Sequence, residues 1–365
     1  MMQLHPLYKR YFIQIFSFGL IWLFFGLVYV MLEYGILGRL TYYPATGNKY
    51  NVINSLFMVC VGSFLMGIVQ GVVEIFWLKK YFRRSPFWIK IAFKSIFYLV
   101  FVFVFVIVIA LINNAYLYDT SVFDPVVINM VFGFISKFAF WSVILYVGVV
   151  LDLALFYSEI KDYMGNNALF NYFGKYHRPK PEVRIFMFLD MKSSTAIAEN
   201  LGHQKYFELL RTYYADMTNA ILETSGEVYQ YVGDEIVITW KQKQGIHKNN
   251  CLHCFRKISK AINSHSDKYL KAFGLIPEFK AGYHIGSVTA GEIGIIKKDI
   301  VYTGDILNTS ARIQAECNNY NSKILISGQL MDSLEKDNTF SFTKIDDLLL
   351  RGKKQPIQLF EINFI

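Results

Sequence analysis

Charge is what this chain lacks most. Only 18% of its 365 residues are Asp, Glu, Lys or Arg, where a soluble protein carries about a quarter. The deficit is local: long apolar runs lie before Leu155, and the remainder has the composition of an ordinary soluble domain. Cysteine is scarce too. Cys60 falls in an apolar run and Cys251, Cys254 and Cys317 in the polar part, a placement that fits reduced thiols facing the cytosol and not a disulfide framework. The net charge of +9 comes without any RRM, KH, zinc-finger or helix-turn-helix pattern, so no nucleic-acid partner is expected. The first apolar run also lacks a small-x-small cleavage site and is too long for a signal-peptide core, which predicts an anchor and not a leader.

What the first part does have is four apolar runs, at 11–32, 52–78, 89–112 and 126–157. As a helix, the shortest of these covers about 33 Å, enough to cross a bilayer. Basic residues cluster before the first run (Lys9, Arg10), around the second connection (Lys79, Lys80, Arg83, Arg84, Lys90, Lys94) and after the fourth run (Lys161, Lys175, Arg178, Lys180). The third connection, by contrast, holds Asp119 and Asp124 with no Lys or Arg. The positive-inside bias then predicts a multi-pass protein of the cell (plasma or inner) membrane, with both termini and the polar part cytoplasmic. Tyr42, Tyr43, Trp77 and Trp88 suit the interfacial belts. Glu74 and Lys137 are charged residues inside the runs, and their nearness to helix ends predicts snorkelling to the headgroups. The runs lack the polar lining and Gly/Pro-broken helix pairs of a transporter.

The pattern divides the chain into a membrane part (1–157), a connector (158–181) closed by Pro179 and Pro181, and a soluble domain (182–365). In the last, 183–189 reads as a buried strand, and Phe207, Leu210, Tyr214, Met217 and Ile221 recur at helical spacing over 203–223. A tight hairpin turns at Gly233-Asp234. A helix over 247–272 follows, then strands at 279–285 and 288–292, a short strand before Gly304, a helix with Asn308 and Arg312, and strands at 323–326 and 358–362. The order β-α-β-β-α-β is that of a ferredoxin-like α+β sheet. The predicted fold is therefore an α-helical four-span membrane domain followed by an α+β ferredoxin-like domain.

The chemistry sits where predicted strands end. Asp190 closes one strand and is followed by Ser193, Ser194 and Thr195, a stretch suited to opening a helix whose N–H groups would face a triphosphate. Asp234 places a second carboxylate at the hairpin tip. Two aspartates plus substrate phosphates suffice for hard divalent cations, and two such ions serve phosphoryl transfer. Either Asp alone would be commonplace. His247, Cys251 and Cys254 recur at i, i+4, i+7 but lack a fourth zinc ligand, so they read as a helix face packed with Phe255 and Ile258.

Five separated segments, FLDMKSST, GEVYQYVGDE, AGYHIGSVTAGEIG, YTGDILNTSARIQ and LLLRGKKQPIQLFEI, stand in the order and approximate spacing of class III nucleotidyl cyclase domains, which 183–365 resembles throughout. The resemblance implies that Asp190 and Asp234, helped by the Met191 carbonyl, hold two Mg²⁺ or Mn²⁺ ions. It implies that Asn308 orients the ribose, that Arg312 meets the α-phosphate charge, and that Lys353 binds the terminal phosphates. Gln230 and Val301 occupy the two base-selecting positions. Neither is the residue usual for ATP or for GTP, and ATP is favoured on family frequency. The family's sites are shared across a homodimer, the acids coming from one chain and the Asn/Arg pair from the other. No protein general base is evident. The alternatives are a guanylate cyclase and a catalytically silent, nucleotide-responsive receptor domain; the presence of both acids, the Asn/Arg pair and Lys353 argues against the silent form.

Overall fold

The computed structural model describes residues 6–44, 49–82, 85–164, 176–296, 298–336, 338–349 and 356–365. Among the described residues the chain from 8 on divides into two compact units, 8–164 and 176–365.

The first unit is helical: α1 (Pro6–Leu37), α2 (Val52–Val73), α3 (Phe87–Tyr118), α4 (Pro125–Ile135) and α5 (Phe138–Met164). Among the described residues four stretches, Tyr8–Leu37, Val52–Tyr81, Phe87–Ile112 and Phe138–Lys161, are long and apolar enough to cross a membrane. The first three match the expected runs. The fourth does not, because 126–157 is not one helix. Asp124 accepts from Val126 N–H at 2.8 Å, with Pro125 in the first turn, so α4 starts abruptly. Tight turns at Ser136-Lys137 then end it, with the Lys137 N–H on Phe134 O and the Phe140 N–H on Lys137 O, both at 3.1 Å. Its 11 residues cover about 16 Å, too short to span. Lys137 therefore stands exposed at a helix break and not inside a span.

Glu74 corrects the sequence reading more sharply. It does not snorkel: it is 0% exposed and pairs with Lys94, whose side chain is equally buried. Lys94 also reaches Glu159 of α5 at 2.7 Å, and Lys90 approaches the same carboxylate at 3.5 Å. α2 widens into a π-turn over Glu74–Leu78, where the Lys79 N–H donates to Glu74 O, five residues back. Such one-turn bulges re-aim side chains within a helix. Away from water, the pairing satisfies charges that would otherwise be costly to bury. Nearby, Trp22 Nε1 donates to Gln70 Oε1 at 2.6 Å and the Tyr98 hydroxyl to Gln70 O at 3.2 Å, tying α1, α2 and α3. The helical α5 carries the early connector to Met164; the connector residues 165–175 lie outside the described ones.

The second unit is built on one mixed sheet: β1 (Lys180–Met191), β2 (Glu227–Val232), β3 (Glu235–Lys241), β4 (Phe279–Ile293), β5 (Asp299–Thr303), β6 (Ile324–Ser327), β7 (Phe340–Leu348) and β8 (Ile357–Phe364). The order is β2-β3-β1-β4-β6-β8-β7, with β5 on β4. The β2-β3-β1-β4 half, antiparallel throughout, is the predicted ferredoxin-like arrangement. Its longer helices are α6 (Ser194–Leu201), α7 (His203–Glu223), α8 (Asn250–Ser264), α9 (Ser266–Phe273) and α10 (Asp305–Glu316).

Strand alternation sends β1 to two faces. Ile185, Met187 and Leu189 join Leu209, Tyr213 and Met217 of α7 and Cys251, Cys254, Phe255 and Ile258 of α8 in the main core. Burial there pushes the Cys251 and Cys254 thiols up to about 12, so these are packing groups, as expected. Phe186 and Phe188 point the other way, with Val237, Val288, Tyr302 and Ile306. Three details differ from the sequence reading. β4 is one strand, because Gly286 and Ser287 stay paired to Arg184 and Val183. The 247–272 helix breaks at His265. β7, paired only with β8 and bulged between Lys344 and Asp346, has too irregular an alternation to be recognised.

Candidate active site

Asp190 lies two and four residues beyond Phe188 and Phe186, so the β1 pleat puts it on their face, at the strand's end. Asp234 is the second residue of a two-residue turn between Val232 and Glu235. Gly233 takes the positive φ (+62°) that such a turn demands at its first position. The Tyr214 hydroxyl pins the tip, donating to Gly233 O at 2.9 Å, and its ring lies 4.6 Å from that of Tyr231.

The two acids meet. Burial, then the Asp234 carboxyl beside it, push the Asp190 carboxyl above its ordinary value, with Lys280 pulling back. Lys280 Nζ stands 3.4 Å from Asp190 Oδ2, and Gln314 Nε2 donates to the same oxygen at 3.1 Å. Glu235 is raised to about 7, by burial first and then by Asp190 and Asp234. Asp234 Oδ2 is buried and accepts no hydrogen bond among the described residues. Two crowded carboxylates with an orphaned oxygen fit a divalent cation. Among the described residues no group of three or more His, Cys, Asp or Glu could hold a metal ion.

The remaining expected residues surround this pair or stand apart from it. Met191 closes β1 opposite Phe279. Ser193 takes a left-handed conformation (φ 57°) and Ser194 opens α6, with Ser193 and Thr195 exposed. Gln230 is exposed on β2. A bulge between Val228 and Gln230 gives Glu227 and Gln230 the partners Thr239 and Val237, two residues apart, so both face the Phe186 side. Val301 pairs with Gly291 on β5. Lys353 lies outside the described residues.

α10 carries the Asn/Arg pair. Ile306, Thr309, Ser310, Ile313 and Gln314 form its buried side. At about 100° per residue, Arg312 lies about 200° from Gln314. Asn308 is accordingly exposed and Arg312 half-buried, while Gln314 faces Asp190 of its own chain. The helix sits this close because Gly282 has no side chain: a Cβ there would come within 2.2 Å of Gln314 N.

Sequence reasoning missed Lys280, Glu235, Gln314 and Tyr214. The register that sets Lys280 across from Asp190 and the phase of α10 are invisible in the chain. Only Glu235, next to Asp234, carried a local signal.

The sheet, the paired acids and the Asn/Arg pair on α10 fit a nucleotidyl cyclase type of catalytic domain. The Adenylate and Guanylate cyclase catalytic domain family matches residues 176–363, and the chain belongs to that family. It is 31% identical over 225 residues to Adenylate cyclase 2 of Rhizobium meliloti (strain 1021), covering 60% of this chain and 61% of that one. It is 26% identical over 182 residues to the adenylate cyclase of Anabaena cylindrica, covering 48% and 36%. The chain thus spans less than two thirds of the length of either relative. Among solved structures, a bacterial light-regulated adenylyl cyclase matches with a TM-score of 0.50 at 17% identity, over 62% of this chain and 66% of the other, a likeness of fold.

Proposed function

We propose that the chain is a membrane-anchored nucleotidyl cyclase that converts ATP, in preference to GTP, to the 3′,5′-cyclic nucleotide and pyrophosphate in intracellular signalling. The carrying observation is the meeting of Asp190 and Asp234, with the Asp234 Oδ2 left unbonded, on the sheet face that α10 covers. The family and the adenylate cyclase relatives support the same reading.

In this reading Asp190, Asp234 and the Met191 carbonyl hold two Mg²⁺ or Mn²⁺ ions, which when bound supply positive charge at the attacking hydroxyl and the leaving phosphate oxygen. The chain's own groups do the positioning. Ser193, Ser194 and Thr195 at the start of α6 and Lys353 bind phosphate oxygens. Asn308 orients the ribose so that its 3′-oxygen lines up with the α-phosphorus. Arg312 meets the charge that builds on the α-phosphate as the new P–O bond forms and the bond to pyrophosphate breaks. Gln230 and Val301 contact the base, Gln230 through an amide that can donate and accept.

The phase of α10 supports a shared site. Gln314 faces the acids of its own chain, so Asn308 and Arg312, on the far side of the helix, serve the acids of a second copy. A homodimer then holds two equivalent sites. The lipid bilayer holds the four spanning helices, with both termini and the catalytic domain cytoplasmic. The test is turnover by the full chain in membranes with ATP and with GTP, in Mg²⁺ and in Mn²⁺, with the product identified. Cyclic AMP as the main product and a loss of several orders of magnitude in kcat for Asp190→Ala are expected. Near-normal activity of Asp190→Ala would refute the assignment.

A further inference from the structure

Arg184 is the largest polar side chain buried in the second unit, and nothing in the reaction uses it. It is 1% exposed and points to the same face as Phe186, Phe188 and Asp190. Its Nε donates to Glu182 Oε2 and one terminal nitrogen to Glu227 Oε2, both at 3.0 Å. Its guanidinium lies 4.6 Å above the Tyr302 ring. Tyr302 in turn meets Tyr229 edge-on at 5.1 Å and Phe186 at 5.6 Å. The Tyr176 hydroxyl donates to the other oxygen of Glu182 at 2.8 Å, fixing that carboxylate from the start of the domain.

Glu227 and Tyr229 belong to the strand of Gln230, and Tyr302 follows Val301. From β2 to β5 the sheet runs through β3, β1 and β4. At about 4.8 Å per strand, a flat sheet would put them about 19 Å apart. Side chains close that distance: Tyr229 and Tyr302 meet directly, Phe186 meets both rings, and Arg184 is the charged group that touches both strands. We infer that Arg184 is a positioning residue for the purine pocket: it clamps the strand of Gln230 to the strand of Val301 and so sets the spacing between the two base-contacting positions. A lysine is no substitute, since it lacks the planar fork for two carboxylates and the flat face for Tyr302. Without Arg184, Glu182 and Glu227 face each other with their shared counter-charge gone.

The inference rests on the proposed cyclase function and its base positions. Its test uses the full chain in membranes, as Arg184→Lys, Tyr302→Leu and Tyr302→Phe. Two readouts are taken, KM and kcat for ATP and GTP, and displacement of a fluorescent ATP analogue by each nucleotide in Mn²⁺. Arg184→Lys and Tyr302→Leu should raise KM for the preferred nucleotide at least fivefold, with kcat changed less than threefold. The ATP-to-GTP ratio of kcat/KM should move at least threefold toward unity in both. Tyr302→Phe, which keeps the ring, should behave as wild type. A role in stability alone would lower the yield or melting temperature with KM and the nucleotide ratio unchanged, and that result overturns the inference. A wild-type chain that neither binds nor turns over nucleotide sinks the cyclase function itself and this inference with it.

Discussion

Asp190, Asp234 and Glu235 gather carboxyls around one hairpin tip, and protons compete there with any cation. The carboxyl of Glu235 sits at about 7 against an ordinary 4.5, and that of Asp190 is raised as well. A folded-state value above the unfolded one means the native chain holds its proton longer. The stability so contributed is complete below about 4.5 and is lost as pH rises through about 7. Without divalent cations, the melting temperature of the domain should therefore fall between pH 4.5 and 7. Glu235→Gln should flatten the fall and Mn²⁺ should offset it; a flat profile in the wild type would contradict the crowding. Gly282 is the other single-residue test. A methyl there meets Gln314 N at 2.2 Å, and overpacking of this kind costs about 1–3 kcal/mol. Gly282→Ala should lower the melting temperature and cut turnover by displacing α10, whereas unchanged turnover would mean that α10 is not held by this contact. At this scale, Asp190 and Asp234 were legible because a strand end and a Gly-Asp turn are local chemistry. Lys280 and Gln314 were not, since they reach Asp190 only through strand register and helix phase.

Among elements, the spans behave least as their composition suggests. Hydropathy averaged over a long window passes over a short polar break, and so 126–157 reads as one helix although Asp124-Pro125 starts a separate one and Ser136-Lys137 ends it. Nor does it distinguish a charge near a helix end that reaches water from one that finds a partner inside. Glu74, Lys94 and Glu159 join α2, α3 and α5, and α5 is the helix that leaves the membrane unit toward the connector. Removing one partner of a buried pair costs about 3–5 kcal/mol because the other charge is left uncompensated. Lys94→Met should accordingly reduce the yield of folded full-length protein and lower its melting temperature in detergent. Adding Glu74→Gln to Lys94→Met should recover part of the loss. A single Lys94→Met variant as stable as wild type would show that the network carries no energy. The sheet, by contrast, was largely legible: alternation and turn residues gave β1, β2 and β3 and the order of the motifs, while the edge strand β7, with its bulge, left no clear period.

At the scale of the whole molecule, the proposed function is that of a cyclase held by four helices, with its reaction divided between two copies. The proposed topology, argued from the basic flanks, has both termini in the cytoplasm, so reporters fused to either end should be active only as cytoplasmic ones; an N-terminal reporter active outside would reverse the topology. The proposed division of labour rests on α10, whose Gln314 donates to Asp190 of its own chain while Asn308, exposed, and Arg312, half-buried, lie away from Gln314 around the helix. Co-expression of Asp190→Ala and Arg312→Ala chains measures this directly. Each variant alone should be inactive. Together, random pairing makes half the dimers mixed, each with one intact site of two, so about a quarter of wild-type turnover should return. Mixed dimers that form and yet recover no activity would contradict the shared site.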